Sequence, residues 1–101
     1  MVFKIIWSSL ALKTYISNIE YLEQEWTNRE IRIFINSIQR KLSILSLQPK
    51  TGRLTGKRLH VRQTVIHKRI ILVYRFKPLK KEVELVRFFS TYQNPKKLKK
   101  K

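Results

Sequence analysis

Residues 70–88 constrain the fold more than any other part of this 101-residue chain. Ile70, Leu72, Tyr74 and Phe76 fall on one side of an extended run, and Ile71, Val73 and Arg75 on the other. After a short charged connection, Val83, Leu85 and Arg87 alternate with Glu84, Val86 and Phe88. β-Branched and aromatic residues dominate both runs, and each is shorter than about 10 residues, so strand is favoured over helix. Pro78 sits in the connection, where a missing N–H does no harm. A hairpin apolar on both faces belongs at the centre of a sheet. Other parts of the chain must then cover one of its faces.

The preceding residues supply that cover. Val2–Trp7 reads as a short first strand, and Ser8 and Ser9 offer a helix N-cap. Leu12, Tyr15, Ile16, Ile19, Leu22 and Trp26 recur at threes and fours, as one stripe of an amphipathic helix does. Thr27-Asn28-Arg29-Glu30 is a capping-box pattern that opens a second helix, with Ile31, Phe34, Ile35, Ile38, Leu42 and Leu45 as its stripe. Pro49 and Gly52 end it, and residues 49–53 read as a turn. From Lys57 to Val65 the pattern alternates, with Leu59, Val61 and Val65 opposite Arg58, His60, Arg62 and Thr64. That predicts a half-buried strand with a basic outer face. The expected fold is α+β, in the order β-α-α-β-β-β, with a helical hairpin on one face of a mainly antiparallel four-stranded sheet. Residues 1–95 are expected to form one domain, and the lysine-rich 96–101 a disordered basic tail.

Charge narrows the function. The chain carries 23 Lys and Arg against 6 acidic residues, a formal net charge of +17. Residues 53–101 hold sixteen of those cations and only two carboxylates. A field of that size attracts polyanions, so nucleic acid, a nucleic-acid machine or an acidic protein is the expected partner. With no cysteine there is no disulfide framework and no zinc site of the usual kind, and a cytoplasmic protein is the simplest reading. No apolar run approaches the roughly 20 residues that span a bilayer, so no membrane partner is expected.

Strong enzyme motifs are missing. With only Gly52 and Gly56 there is no glycine-rich phosphate loop, and His60 and His67 lack a third ligand for a metal. No cofactor is expected. What remains is a set of cations and rings assigned to the helix-free face: Arg58, Arg62, Lys68, Arg69, Arg75, Arg87 and Tyr92, with Lys77, Lys80 and Lys81 at the turn. Such a set suits a nucleic-acid backbone, with cations on phosphates and a ring stacking on a base. Cations that stabilise a charged phosphorane, with a Tyr or Arg moving protons, permit RNA cleavage without a metal. The same residues equally fit electrostatic docking with no chemistry.

Three local patterns carry a resemblance. Ile19-Glu20-Tyr21-Leu22-Glu23-Gln24-Glu25-Trp26, followed by Arg29, Arg32, Phe34 and Ile35, is similar to a helical-hairpin signature. Tyr74-Arg75 heads an apolar strand, and Gln93-Asn94-Pro95-Lys96-Lys97-Leu98 forms the ending. In their order these resemble the RelE/ParE superfamily of bacterial toxins, and most closely its ParE-like branch of Bacteroidetes type. The resemblance implies the toxin of a type II toxin–antitoxin, or plasmid-stabilisation, module. Such a toxin is neutralised by a cognate antitoxin, expected here to be acidic. It inhibits growth either by poisoning DNA gyrase or, as an endoribonuclease, by cutting mRNA on the ribosome. For cleavage the resemblance assigns catalytic roles to Arg62 and Tyr92. Target binding is expected at Arg58, Lys68, Arg75 and Arg87 of the cationic set, and at Gln93 and Asn94 of the ending. The resemblance leaves open a dimer or a toxin–antitoxin hetero-oligomer. The alternative is a non-catalytic RNA- or DNA-binding module.

Overall fold

Two hydroxyls start the two helices. Ser8 caps α1 (Ser9–Glu25), its Oγ accepting the Ala11 N–H at 2.9 Å. Thr27 caps α2 (Asn28–Leu47) with the complete capping box. Its Oγ1 accepts the Glu30 N–H at 3.2 Å, and Glu30 Oε1 accepts the Thr27 N–H at 3.1 Å. The computed structural model describes residues 2–54, 60–67 and 70–90. The residues assigned to a basic tail, 96–101, lie outside these.

The helices pack on a sheet of five strands: β1 (Lys4–Trp7), β2 (Arg53–Leu54), β3 (Val61–His67), β4 (Ile70–Lys77) and β5 (Glu82–Ser90). Their order is β1-β5-β4-β3-β2. β1 runs parallel to β5, and the other pairs are antiparallel. The β4–β5 hairpin thus sits centrally, as its two-sided apolar pattern demands. Five strands stand where the sequence suggested four. The addition is β2, a two-residue strand in the stretch expected to be a turn, pairing Arg53 with Gln63 and Leu54 with Arg62. Two residues are too few for a pattern of period 2 to register.

The core lies between helices and sheet. It joins Leu22 of α1 and Phe34, Ile38 and Leu45 of α2 to Ile70, Leu72, Tyr74, Val83, Leu85 and Phe88. The α2 stripe is buried where the spacing places it. The α1 stripe is rotated: Ala11, Asn18 and Leu22 are buried, while Leu12 and Ile16 remain about half exposed, at 50% and 47%. The cause is polar. Beyond Trp7, among the described residues, no strand continues along β5, and α1 takes over that edge. The Ser8 N–H donates to the Leu85 carbonyl at 3.2 Å, and Ser8 Oγ donates to the Val86 carbonyl at 3.0 Å. Thr14 Oγ1 accepts the Phe88 N–H at 2.9 Å, and Asn18 Nδ2 approaches the Phe88 carbonyl at 3.4 Å. Turning Thr14 and Asn18 toward β5 turns Leu12 and Ile16 away. The Trp7, Tyr15 and Phe88 rings close this junction, with centroids 5.3–5.6 Å apart.

A β-bulge resets the last strand. Tyr74 faces Leu85 and Val73 faces Arg87, which leaves Val86 as the extra residue. Strict alternation groups Arg87 with Val83 and Leu85. The bulge instead sends Phe88 into the core and leaves Arg87 exposed on the opposite face.

Candidate nucleic-acid interface

The face of the sheet away from the helices is read from the register. One row across β3, β4 and β5 is Val65–Ile71–Phe89, the next Gln63–Val73–Arg87, the next Val61–Arg75–Glu84. Lys77 faces Glu82 in the following row. The face therefore grades from apolar to charged along the strands. Arg75 and Lys77 share one carboxylate, with Glu84 Oε1 at 3.8 Å and 3.3 Å. Arg87 has no carboxylate partner among the described residues. Its guanidinium instead lies over the Phe89 ring at 5.3 Å, and Phe89 is 41% exposed. A cation over an exposed ring offers a positive charge and a stacking surface together. Sequence reasoning passed over Phe89. Its signal was the Phe88-Phe89 pair, since adjacent strand residues point to opposite faces and only one ring can enter the core.

Arg62 is elsewhere. It pairs with Tyr74, whose ring is fully buried beneath the helices, so it lies on the helix side of β3 and not on the open face. The alternation was assigned to the wrong faces: Val65 is 55% exposed, and Ile66 reaches the core. Ile66 decides the matter, and it lies one residue past the strand end drawn from sequence. Arg62 Nη1 donates to the Gly52 carbonyl at 2.7 Å and to the Lys50 carbonyl at 3.2 Å. Its Nε is buried and has no partner among the described residues.

Tyr74 completes this clamp. Its hydroxyl donates to the Pro49 carbonyl at 2.6 Å and accepts the Gly52 N–H at 3.0 Å. Burial pushes its pKa up, against the opposing pull of the Gly52 N–H, the Arg62 charge and Thr51. The phenol stays protonated and able to donate. Gly52 is required here for space: a Cβ would lie 2.8 Å from the Gln63 carbonyl oxygen and against the Tyr74 ring and hydroxyl. The 3-10 turn Pro49–Thr51 is therefore pinned by two side chains of the sheet. Arg62→Ala strips the Lys50 and Gly52 carbonyls of their charged donor. We expect it to lower unfolding free energy by about 1–3 kcal/mol in urea titration. A loss under about 0.5 kcal/mol would release Arg62 from a structural role.

Of the other residues assigned from sequence, Arg75 and Arg87 share the open face, and Pro78–Lys81 form the β4–β5 turn between β4 and β5. Arg58, Lys68, Arg69, Tyr92, Gln93 and Asn94 lie outside the described residues. Among the described residues, no three His, Asp or Glu side chains gather to hold a metal, and no helix is long and apolar enough to cross a membrane.

No family model matches the chain, and no curated protein matches it. Solved structures do. A mutant of Escherichia coli toxin RelE in the free state superposes with a TM-score of 0.63 at 14% identity, over 94% of this chain and 90% of that one. The toxin–antitoxin complex RelBE2 of Mycobacterium tuberculosis gives 0.60 at 13% identity, over 89% and 92%. A metal-bound toxin from Helicobacter pylori gives 0.55 at 17% identity, over 91% and 98%. At such identities the likeness establishes architecture: helices α1 and α2 on one face of a mixed sheet, arranged as in these toxins.

Proposed function

From a chain with the RelE-type toxin fold, we propose the toxin component of a toxin–antitoxin pair, acting on a nucleic-acid machine through its open sheet face. The observation that carries this reading is the Arg87–Phe89 pair, exposed at 5.3 Å on the face that neither α1 nor α2 covers. Rings and cations in that arrangement suit a nucleic acid or a surface built on one.

Between the two modes of action, the engagement of Arg62 favours docking without cleavage, as in poisoning of gyrase. A guanidinium holding two carbonyls of its own chain is not free to stabilise a phosphorane. Cleavage of mRNA on the ribosome is the second reading, and it places the chemistry on Tyr92 and the remaining cations. Primer extension on abundant mRNAs, soon after inducing the protein without its partner, separates the two. Intact messages alongside arrested growth support docking. Discrete new 5′ ends inside coding regions support cleavage. Undisturbed growth removes the toxin reading altogether.

The partner follows from charge. A chain of +17 calls for an acidic antitoxin segment. The half-exposed Leu12 and Ile16 on α1 give it an apolar strip to cover.

A further inference from the structure

The β4–β5 turn closes the sheet at the end away from Phe89. Phe89 faces Ile71, and Phe76 lies five residues further along β4, about 17 Å at the rise of a strand. Here a cleft of about 410 Å³ is walled by His60, Phe76, Pro78 and Leu79, with Arg75, Lys77 and Lys80 also lining it. That volume falls within the range of small-molecule sites, about 300–1,000 Å³.

His60 is held in place by its backbone. Its φ is 66°, in the left-handed region, and its carbonyl accepts the Phe76 N–H at 2.8 Å. A non-glycine residue kept in that conformation is over-determined by its surroundings. The imidazole meets the Phe76 ring edge-on, centroids 6.0 Å apart at 81°, and the residue stays exposed. Leu79, which also lines the cleft, is 97% exposed. Lys80 has no carboxylate partner among the described residues, while Glu84 steadies Lys77 and Arg75. An aromatic wall, an apolar wall and a cationic lining within one small cleft match a flat ring joined to an anion.

We propose that this cleft takes one unstacked nucleotide of a single-stranded nucleic acid, its base between His60 and Leu79 and its phosphate against Lys80 and Lys77. An acidic polypeptide would satisfy the lysines but brings no planar ring to the cleft. The site lies at the opposite end of the strands from the Arg87–Phe89 pair, though Arg75 and Lys77 link it to the same face, and it does not rest on the toxin reading.

Fluorescence anisotropy tests it, using a labelled twelve-nucleotide oligouridylate and an abasic strand of equal length and charge. The protein is expected to bind the uridylate about fivefold or more tightly than the abasic strand, the worth of a base–ring contact. His60→Asn keeps a residue that tolerates the left-handed backbone, and Leu79→Ser changes only an exposed side chain. Each should lose that preference while binding the abasic strand as before. Arg87→Ala removes a charge that both strands meet equally, so it should weaken both alike and keep their ratio. The proposal is overturned if both cleft variants keep it, or if only Arg87→Ala loses it. It is also overturned if the unaltered protein binds uridylate, abasic strand and polyglutamate of equal charge alike. A protein that arrests growth yet prefers no base refutes the cleft and leaves the toxin reading standing.

Discussion

Tyr74→Phe is expected to destabilise the fold by about 2–4 kcal/mol, although it removes a single oxygen. That oxygen serves the Pro49 carbonyl at 2.6 Å and the Gly52 N–H at 3.0 Å. Without it two buried backbone groups go unpaired, each costing about 1–3 kcal/mol. For a chain of this size the melting temperature should fall by about 10–20 °C. Differential scanning calorimetry reads this directly, and a drop of under about 4 °C would mean that the turn re-pairs with water. The deficit should also depend on pH. Burial raises the phenol pKa above its ordinary 10.0, so the unfolded chain releases this proton at lower pH than the folded one. Tyr74 therefore contributes fully below about pH 10, and its contribution shrinks as pH rises through the folded pKa. The gap between Tyr74→Phe and the parent should narrow above pH 10. A constant gap to pH 11.5 would show that the phenol does not ionise on unfolding.

Under the toxin function proposed above, Arg87→Ala is expected to abolish growth arrest with little change in stability. Arg87 is exposed, and its partner is a ring rather than a carboxylate. Removing an arginine anchor from a binding face costs about 2 kcal/mol or more, roughly a thirtyfold loss of affinity. Colony counts after induction, alongside a thermal melt of each purified variant, give both quantities. Full toxicity in Arg87→Ala and in Phe89→Ala would remove the open face from the mechanism. Arrest lost together with a melt lowered by more than a few degrees would show a structural fault instead.

The sequence announced the helices well because their signals are chemical and local. The Thr27–Glu30 box marks one helix start, and the threes-and-fours spacing of Ile31, Phe34, Ile38 and Leu45 fixes its buried face. The hairpin was equally legible, since a strand with apolar residues on both sides, such as the buried Leu72 and the partly buried Ile71, belongs inside a sheet. The sheet faces were harder. Alternation states that neighbours point apart but not which set points inward. For β3 the deciding residue, Ile66, lay just past the recognised run. For β5 the Val86 bulge shifts every later side chain to the other face, and no residue type announces a bulge. Arg62 looked like a surface cation because its partners are carbonyls, which one-letter patterns do not display. The site was thus visible as a composition, cations and rings in the C-terminal half, but not as a geometry.

The substitution of α1 for a strand along β5 bears on how this chain can assemble. A sheet grows into a fibre only if each unit receives a strand on one side and offers an edge on the other. Along Val86–Phe88 that offer is withdrawn, because a serine, a threonine and an asparagine on a helix already hold the backbone groups. On the far side, β2 covers only Arg62 and Gln63 of β3, and among the described residues no strand pairs with Thr64–Ile66 on that edge. Strand addition to this molecule is therefore one-sided along its longer strands. A guest strand laid on β3 finds no matching open edge along Val86–Phe88 on which a second copy could continue the sheet, so these longer strands give the chain little route to a fibre of its own kind.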